Sequence, residues 1–133
     1  PAHNRALILG NGGSSKAAQF VLKSLGIDFL IVTRNPQSEN EISYPQLNEN
    51  HIRFHKLIIN TTPLGMYPNI NDYPPIPYEF ISSGHYLFDL IYNPEKTQFL
   101  QKGEQQGALI QNGMEMLILQ AEESWNIWVG RKP

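Results

Sequence analysis

The stretch of residues 5–25 constrains the fold of this chain more than any other part of its sequence. It opens with the apolar run Ala6-Leu7-Ile8-Leu9, which is typical of a strand buried on both faces of a sheet. The run ends at the turn Gly10-Asn11-Gly12-Gly13, where glycine lets the backbone come close to a ligand. An amphipathic helix is predicted to follow, and its apolar face is expected to carry Ala17, Phe20, Val21 and Leu25.

A strand, a glycine turn and a helix N-terminus in this order can form an anion site, because free backbone N–H groups and the positive end of the helix dipole face the same place. The dinucleotide-binding pattern G-x-G-x-x-G is met at Gly10 and Gly12, but Ser15 stands at its third position. The pattern by itself leaves two interpretations open, a phosphate-binding turn and an ordinary connection with turn glycines. The flanking strand and helix favour the phosphate-binding turn.

Length and charge narrow the class of protein. The chain has 133 residues, which suits one domain with a real core, and its net charge of -2 without a basic run argues against nucleic-acid or anionic-membrane partners. No apolar stretch approaches the ~20 residues of a membrane span, and no secretory signal pattern is present. The absence of cysteine excludes a disulfide scaffold and a Cys-based zinc site. We expect a cytoplasmic protein. The start at Pro1, without Met, indicates a domain from a longer chain.

The second predicted strand, residues 29–32, ends at Thr33-Arg34-Asn35-Pro36. In a doubly wound sheet this point meets the adenosine ribose, where NAD-binding proteins place an acid on the 2′-hydroxyl. Arg34 stands there instead, and a guanidinium can hold the 2′-phosphate of NADP through charge-assisted hydrogen bonds. The alternative is a surface arginine without a ligand.

The rest of the chain alternates strands and helices. Strands are predicted at residues 41–44, 57–59, 86–92 and 108–110, and helices at 49–55, 97–106 and 114–128. This alternation predicts an α/β fold: a Rossmann-like, doubly wound and mainly parallel sheet in the strand order 3-2-1-4-5-6. His51 and His55 have the i, i+4 spacing of zinc ligands, but no third ligand accompanies them. We interpret them as an exposed pair and predict no metal site.

Four segments taken together resemble shikimate dehydrogenase. In chain order they are Gly10-Asn11-Gly12-Gly13-Ser14-Ser15-Lys16-Ala17, Asn60-Thr61-Thr62-Pro63-Leu64-Gly65-Met66, Asp89-Leu90-Ile91-Tyr92-Asn93-Pro94 and Asn112-Gly113-Met114-Glu115-Met116-Leu117-Ile118-Leu119-Gln120-Ala121. The last two are much more specific than the glycine turn. The resemblance covers nearly the whole chain, but only the C-terminal, NADP-binding half of this two-domain family. It implies that residues 1–133 form one NADP-binding domain that works with an N-terminal domain of its own protein.

The resemblance also implies a reaction and a set of site residues. The family reduces 3-dehydroshikimate to shikimate with NADPH, on the way to the aromatic amino acids. The pyrophosphate of NADP would be held by Gly10, Asn11, Gly12, Gly13 and Ser14. Its 2′-phosphate would be surrounded by Thr33, Arg34, Asn35 and Ser38. The nicotinamide would lie near Thr61, Leu90 and Gly113, and shikimate near Tyr92 and Gln120.

The sequence departs from the family pattern in two ways. The usual Asn-Arg-Thr-x-x-Arg/Lys is Thr33-Arg34-Asn35-Pro36-Gln37-Ser38 here, so the second basic residue is missing and a softer preference for NADP is expected. The family's catalytic Lys and Asp belong to the N-terminal domain, so this chain alone is expected to be inactive. Two alternatives remain open: a stand-alone dinucleotide-binding or sensing module, and a quinate/shikimate dehydrogenase of broader specificity.

Overall fold

The computed structural model describes residues 5–113 and Leu119. Its strands and helices are β1 (Arg5–Leu9), α1 (Gly13–Ser24), β2 (Asp28–Val32), β3 (Glu41–Ile42), α2 (Glu49–Phe54), β4 (Leu57–Asn60), β5 (Tyr86–Asp89), α3 (Gln98–Gln105) and β6 (Leu109–Asn112). The predicted last helix lies outside the described residues, apart from the helical Leu119. None of the described helices has the length and apolar character needed to cross a membrane.

The six strands form one sheet in the order β3-β2-β1-β4-β5-β6, and every pair of neighbours is parallel. The predicted fold class and strand order are therefore confirmed. β2 and β3 extend the sheet on one side of β1, whereas β4, β5 and β6 extend it on the other side. The carboxyl ends of β1 and β4 thus border the crevice where doubly wound sheets bind ligands.

Both faces of the sheet are covered, as the apolar runs predict. Along β1, Leu7 and Leu9 belong to one buried cluster, whereas Ala6 and Ile8 belong to the other. The first cluster includes Ile52 of α2 and Phe99 of α3, and the second includes residues of α1. Because successive side chains of a strand point to opposite faces, a continuous apolar run satisfies both clusters at once.

The predicted apolar face of α1 is only partly correct: Val21 and Leu25 are half-buried, and Leu25 packs against the second cluster. The helix buries Ser15, Ala18 and Leu22, whereas Ala17 is exposed and Phe20 is 75% exposed. The small side chains of Ser15 and Ala18 let the helix backbone approach the sheet closely.

The C-terminus of α1 has the predicted glycine stop at Gly26, which has φ +72°. Its N–H donates to the Lys23 carbonyl at 3.1 Å, and the N–H of Ile27 donates to the Leu22 carbonyl at 2.9 Å. These two bonds form a Schellman motif, in which the left-handed residue is usually glycine. Leu22 and Ile27 are both buried in the same cluster, so the motif leads the chain directly into β2.

The interpretation of His51 and His55 as an exposed pair is wrong, because both are half-buried. Nδ1 of His51 accepts a hydrogen bond from the Asn48 N–H at 3.2 Å, which helps to cap α2. Nδ1 of His55 lies 2.7 Å from the His51 carbonyl oxygen. Within the part of the chain that the structure describes, no group of three or more His, Asp or Glu is arranged to hold a metal ion.

Candidate functional site

The glycine turn after β1 packs directly against the segment after β4. Gly10 has φ +105°, and its N–H donates to the Val32 carbonyl at 2.8 Å. A Cβ at Gly10 would lie 2.7 Å from Thr61 Oγ1 and 3.0 Å from Thr62 Cγ2. Both the backbone conformation and the space therefore require glycine at this position.

The turn leads into the N-terminus of α1. Gly12 is the N-cap residue, and because it has no side chain it cannot cap the N–H groups of the first turn. Gly13 and Ser14 are exposed at the start of the helix, whereas Ser15 is completely buried against the sheet. The third glycine of the dinucleotide-binding pattern serves close packing of helix on strand, and the small Ser15 meets the same need.

A first cleft of about 650 Å³ opens between this turn and the end of β2. Seven of the predicted cofactor residues line it: Gly10, Asn11, Gly12, Thr33, Arg34, Asn35 and Thr61. Tyr44 and Tyr73 line it as well, and sequence analysis did not single them out. Burial raises the pKa of Tyr44 to about 12, and the positive charge of Arg34 opposes that rise. The cleft thus combines a neutral phenol, a cation and a glycine turn.

Arg34 is exposed, and it forms no ion pair with any carboxylate among residues 5–113. Its charge is therefore available to an anion in the first cleft. Ser38, which was predicted beside it, is placed differently. The Ser38 hydroxyl lies 2.9 Å from Asn40 Oδ1 and 3.0 Å from Glu41 Oε2, so its one proton is directed at a neighbouring side chain.

A second cleft, of about 510 Å³, lies between the segments that follow β4 and β5, beside the start of α1. It is lined by the predicted residues Ser14, Thr61, Leu90 and Tyr92, and Tyr92 is 79% exposed. Residues 61–63 line both clefts, so the two clefts are adjacent. An extended ligand could therefore occupy both.

Gly113 lines neither of the two clefts. Gly113 follows β6 and has φ +90°, and its N–H donates to the Asp89 carbonyl at 2.9 Å, which places it beside the end of β5. Gln120 lies outside the described residues.

Thr61 anchors the junction between the clefts. Its hydroxyl donates to the Leu9 carbonyl at 2.6 Å, and its backbone N–H donates to the same oxygen at 2.9 Å. These bonds join the end of β1 to the end of β4. The hydroxyl proton is therefore committed to the fold, and only its lone pairs can serve a ligand.

A buried polar network that sequence reasoning missed supports the second cleft. The Asp89 carboxyl accepts hydrogen bonds from Asn60 Nδ2 at 3.2 Å, from the Ile91 N–H at 3.0 Å and from Thr97 Oγ1 at 2.6 Å. Asn60, Asp89 and Thr97 are each 0% exposed. Burial raises the pKa of Asp89, although the three hydrogen bonds oppose the rise. The signal in the sequence was a polar residue at the end of each of two apolar strands, Asn60 and Asp89, but their pairing depends on the strand register.

The same network continues into the loops and the next helix. Asn60 Oδ1 accepts hydrogen bonds from the N–H of Thr62 at 3.0 Å and from its hydroxyl at 2.7 Å. Thr97 is the N-cap residue of α3, and its side chain accepts a hydrogen bond from the Leu100 N–H. The loop after β4, the loop after β5 and the start of α3 are thereby held together.

Known proteins show the same architecture. No protein-family model matches the chain. The shikimate dehydrogenase (NADP(+)) of Methanococcus aeolicus is 37% identical over 140 aligned positions, which cover 96% of this chain and 50% of that protein. A chorismate mutase/shikimate 5-dehydrogenase fusion protein from Clostridium acetobutylicum is 36% identical, with a TM-score of 0.66 over 96% of this chain and 47% of that one.

A third similar protein is the shikimate 5-dehydrogenase of Thermus thermophilus, solved in complex with NADP(H) and shikimate. It is 28% identical, with a TM-score of 0.71 over 98% of this chain and 51% of that one. The chain spans about half the length of the curated relatives it matches. These matches confirm the resemblance predicted from the four segments, and the chain is a homologue of the shikimate dehydrogenase family over about half the length of its members.

Proposed function

We propose that this chain is the NADP(H)-binding domain, residues 1–133, of a shikimate dehydrogenase that reduces 3-dehydroshikimate to shikimate on the way to the aromatic amino acids. The observation that carries the proposal is the pair of adjacent clefts that share residues 61–63 at the switch point between β1 and β4. The relatives named shikimate dehydrogenase (NADP(+)), and the Thermus thermophilus structure with NADP(H) and shikimate, support the same assignment.

The residues of the first cleft fit a phosphorylated dinucleotide. The open space at Gly12 and Gly13, where an added Cβ would have no heavy atom within 4 Å, and the uncapped start of α1 suit the pyrophosphate. Gly10, Asn11, Gly12, Gly13 and Ser14 would hold it. The unpaired Arg34, flanked by Thr33 and Asn35, would hold the 2′-phosphate. Ser38 was also assigned to that phosphate from the sequence. To bind it, the Ser38 hydroxyl would have to give up its hydrogen bonds with Asn40 and Glu41.

The second cleft would receive the nicotinamide and the substrate. Thr61, Leu90 and Gly113 would border the ring, whose reduced form supplies a hydride when the cofactor is bound. The exposed phenol of Tyr92 would donate a hydrogen bond to shikimate from the cofactor side, and Gln120 would do the same. The contribution of this chain is then to position the two reactants.

Among the described residues, no Lys, His, Asp or Glu lines the second cleft, which supports the proposal that the chain alone is inactive. Lys96 forms a 2.8 Å ion pair with Glu104, on the surface. Asp89 is fully buried and already accepts three hydrogen bonds. We propose that a Lys and an Asp of an N-terminal domain complete the site, and that the whole protein works in the cytoplasm.

Calorimetric titration of the chain with NADP⁺ and NAD⁺ tests the proposal. Saturable one-site binding, tighter for NADP⁺, is the expected result, and shikimate-dependent formation of NADPH should appear only when the N-terminal domain is present. Absence of binding to both cofactors would overturn the proposed function. Turnover by the chain alone would overturn the assignment of the proton donor to another domain.

A further inference from the structure

Glu41, the first residue of β3, links the glycine turn to the loop that carries Arg34. Glu41 Oε1 accepts a hydrogen bond from the Gln37 N–H at 2.9 Å, and the Ser38 hydroxyl lies 3.0 Å from Oε2. Asn11 Nδ2 donates to the same Oε2 at 3.4 Å. The carboxylate is thus held on three sides, by the loop after β2 and by the turn after β1.

This carboxylate stands close behind the lining of the first cleft. Asn11 and Arg34 both line that cleft, and the Asn11 amide is in hydrogen-bond contact with Glu41. Within residues 5–113, Glu41 forms no ion pair with a Lys, Arg or His. A negative charge without a cationic partner therefore lies one side chain away from the cleft.

The charge has a different effect on two otherwise similar ligands. A dinucleotide with a 2′-phosphate would place a second group of negative charge near Arg34, on the loop that Glu41 holds, and the Glu41 carboxylate would repel it. A dinucleotide with a free 2′-hydroxyl carries no charge there. Arg34 is also the single basic residue among positions 33–38, so no second cation offsets the repulsion.

We propose that Glu41 is a specificity-determining residue of this site, whose charge weakens the binding of NADP(H) and leaves the binding of NAD(H) unchanged. The inference rests on the proposed function, because it requires the first cleft to hold the adenosine end of the cofactor. It predicts that the preference of this chain for NADP(H) over NAD(H) is weaker than Arg34 alone would produce.

Titration of NADP⁺ and NAD⁺ against Glu41→Gln tests the inference. Glutamine keeps an acceptor for the Gln37 N–H and removes the charge. We expect NADP⁺ to bind about three- to tenfold more tightly, with NAD⁺ unchanged within about twofold. The gain should shrink in 0.5 M salt, where the Debye length falls to about 4 Å. A structural role alone would not produce a salt-dependent change confined to one cofactor.

Two further variants serve as controls. Glu39→Gln makes the same change at an exposed residue of the same loop, which has no hydrogen bond or ion pair in the described part of the chain, and it should leave both affinities unchanged. Glu41→Asp keeps the charge and should keep the original ratio of the affinities. Melting temperatures confirm that each variant is folded.

The outcomes separate the two proposals. Equal changes for both cofactors in Glu41→Gln, no change for either, or the same gain in Glu39→Gln would overturn the role of Glu41 and leave the proposed function standing. Failure of the unmodified chain to bind either cofactor would overturn the proposed function and this inference with it.

Discussion

Asn60 and Asp89 are paired partners at the ends of β4 and β5, and Asn60 Nδ2 donates a 3.2 Å hydrogen bond to Asp89 Oδ1 inside the protein. Neither side chain reaches solvent. Each of them also binds the backbone two residues further on, at Thr62 and Ile91. One side-chain contact therefore sets the relative position of the two loops that line the second cleft.

Replacing Asp89 should destabilise the fold strongly. Asp89→Ala leaves the Asn60 amide, the Ile91 N–H and the Thr97 hydroxyl without their acceptor, and an orphaned buried group costs ~1–3 kcal/mol. We expect a loss of about 2–4 kcal/mol in the free energy of unfolding, measured by urea denaturation. Glu95→Ala, at an exposed position nearby, is the control and should cost little. A loss below ~1 kcal/mol in Asp89→Ala would contradict the role of this network.

Gly10→Ala should destabilise the protein and abolish cofactor binding. The new Cβ would lie 2.7 Å from Thr61 Oγ1, in a backbone with φ +105°, so the turn must move. We expect a loss of about 1–3 kcal/mol in a thermal or urea melt. Gly13→Ala is the matched control for the melt alone, because a Cβ there has no heavy atom of the protein within 4 Å. Equal effects of the two changes would show that the close approach of Gly10 to Thr61 is unimportant.

Arg34→Ala should weaken NADP⁺ binding without affecting NAD⁺ or the melting temperature. A charge-assisted contact of this kind is worth ~1.5–3 kcal/mol, and the exposed side chain forms no ion pair within residues 5–113 that the fold would lose. Titration calorimetry with both cofactors measures the change. Arg53→Ala removes another exposed arginine, whose partner is Glu49 on the same helix, and should leave both affinities unchanged. An unaltered NADP⁺ affinity in Arg34→Ala would show that Arg34 does not bind the 2′-phosphate.

His85 should make stability depend on pH. Its side chain is almost fully buried, with Nε2 2.7 Å from the Ile52 carbonyl and Nδ1 accepting from the Ser82 N–H at 3.0 Å, so the ring is held neutral. Burial lowers its pKa below the ordinary value of 6.5. Between the lowered pKa and pH 6.5, the unfolded chain binds more protons than the folded protein does. The contribution of the neutral His85 ring to stability is therefore complete above pH 6.5 and is lost as the pH falls through the lowered pKa.

Urea unfolding at pH 7.5 and pH 5.5 measures this dependence. The loss of stability between the two pH values should be smaller in His85→Gln than in the unmodified chain. A remainder is expected from His55, because burial lowers its pKa too. An identical loss in both proteins would show that His85 does not titrate across the transition.

Tyr92→Phe should leave the melting temperature nearly unchanged, because the side chain is 79% exposed and its removal leaves no buried group unpaired. In the intact enzyme the same change should raise the KM for shikimate and spare the KM for NADP⁺. Tyr67→Phe removes a hydroxyl from another exposed tyrosine of the second cleft and is the comparison. Unchanged shikimate kinetics in Tyr92→Phe would show that Tyr92 does not contact the substrate.

The sequence by itself determined the architecture and the glycine turn at which the first cleft opens. The buried runs, their spacing and Gly10 were sufficient, because hydrophobic periodicity and a left-handed glycine are local properties. The predicted strand order follows from the alternation of strands and helices together with general rules of chain connection. The predicted ends of the strands were less accurate. The predicted strand 86–92 stops at Asp89, three residues early, because the Asp89 side chain accepts a hydrogen bond from the Ile91 N–H and turns the chain.

Only the tertiary structure decided which side chains act together. Phe20 was predicted to be a core residue, but it is exposed, and α1 buries Ser15 and Ala18 instead. Ser38 looked free for a phosphate, but its hydroxyl is directed at Asn40 and Glu41. Asn11 and Glu41 are 30 positions apart, and Asn60 and Asp89 are 29 apart. Such pairs come together through strand register and crossover connections, which no local pattern of residues encodes.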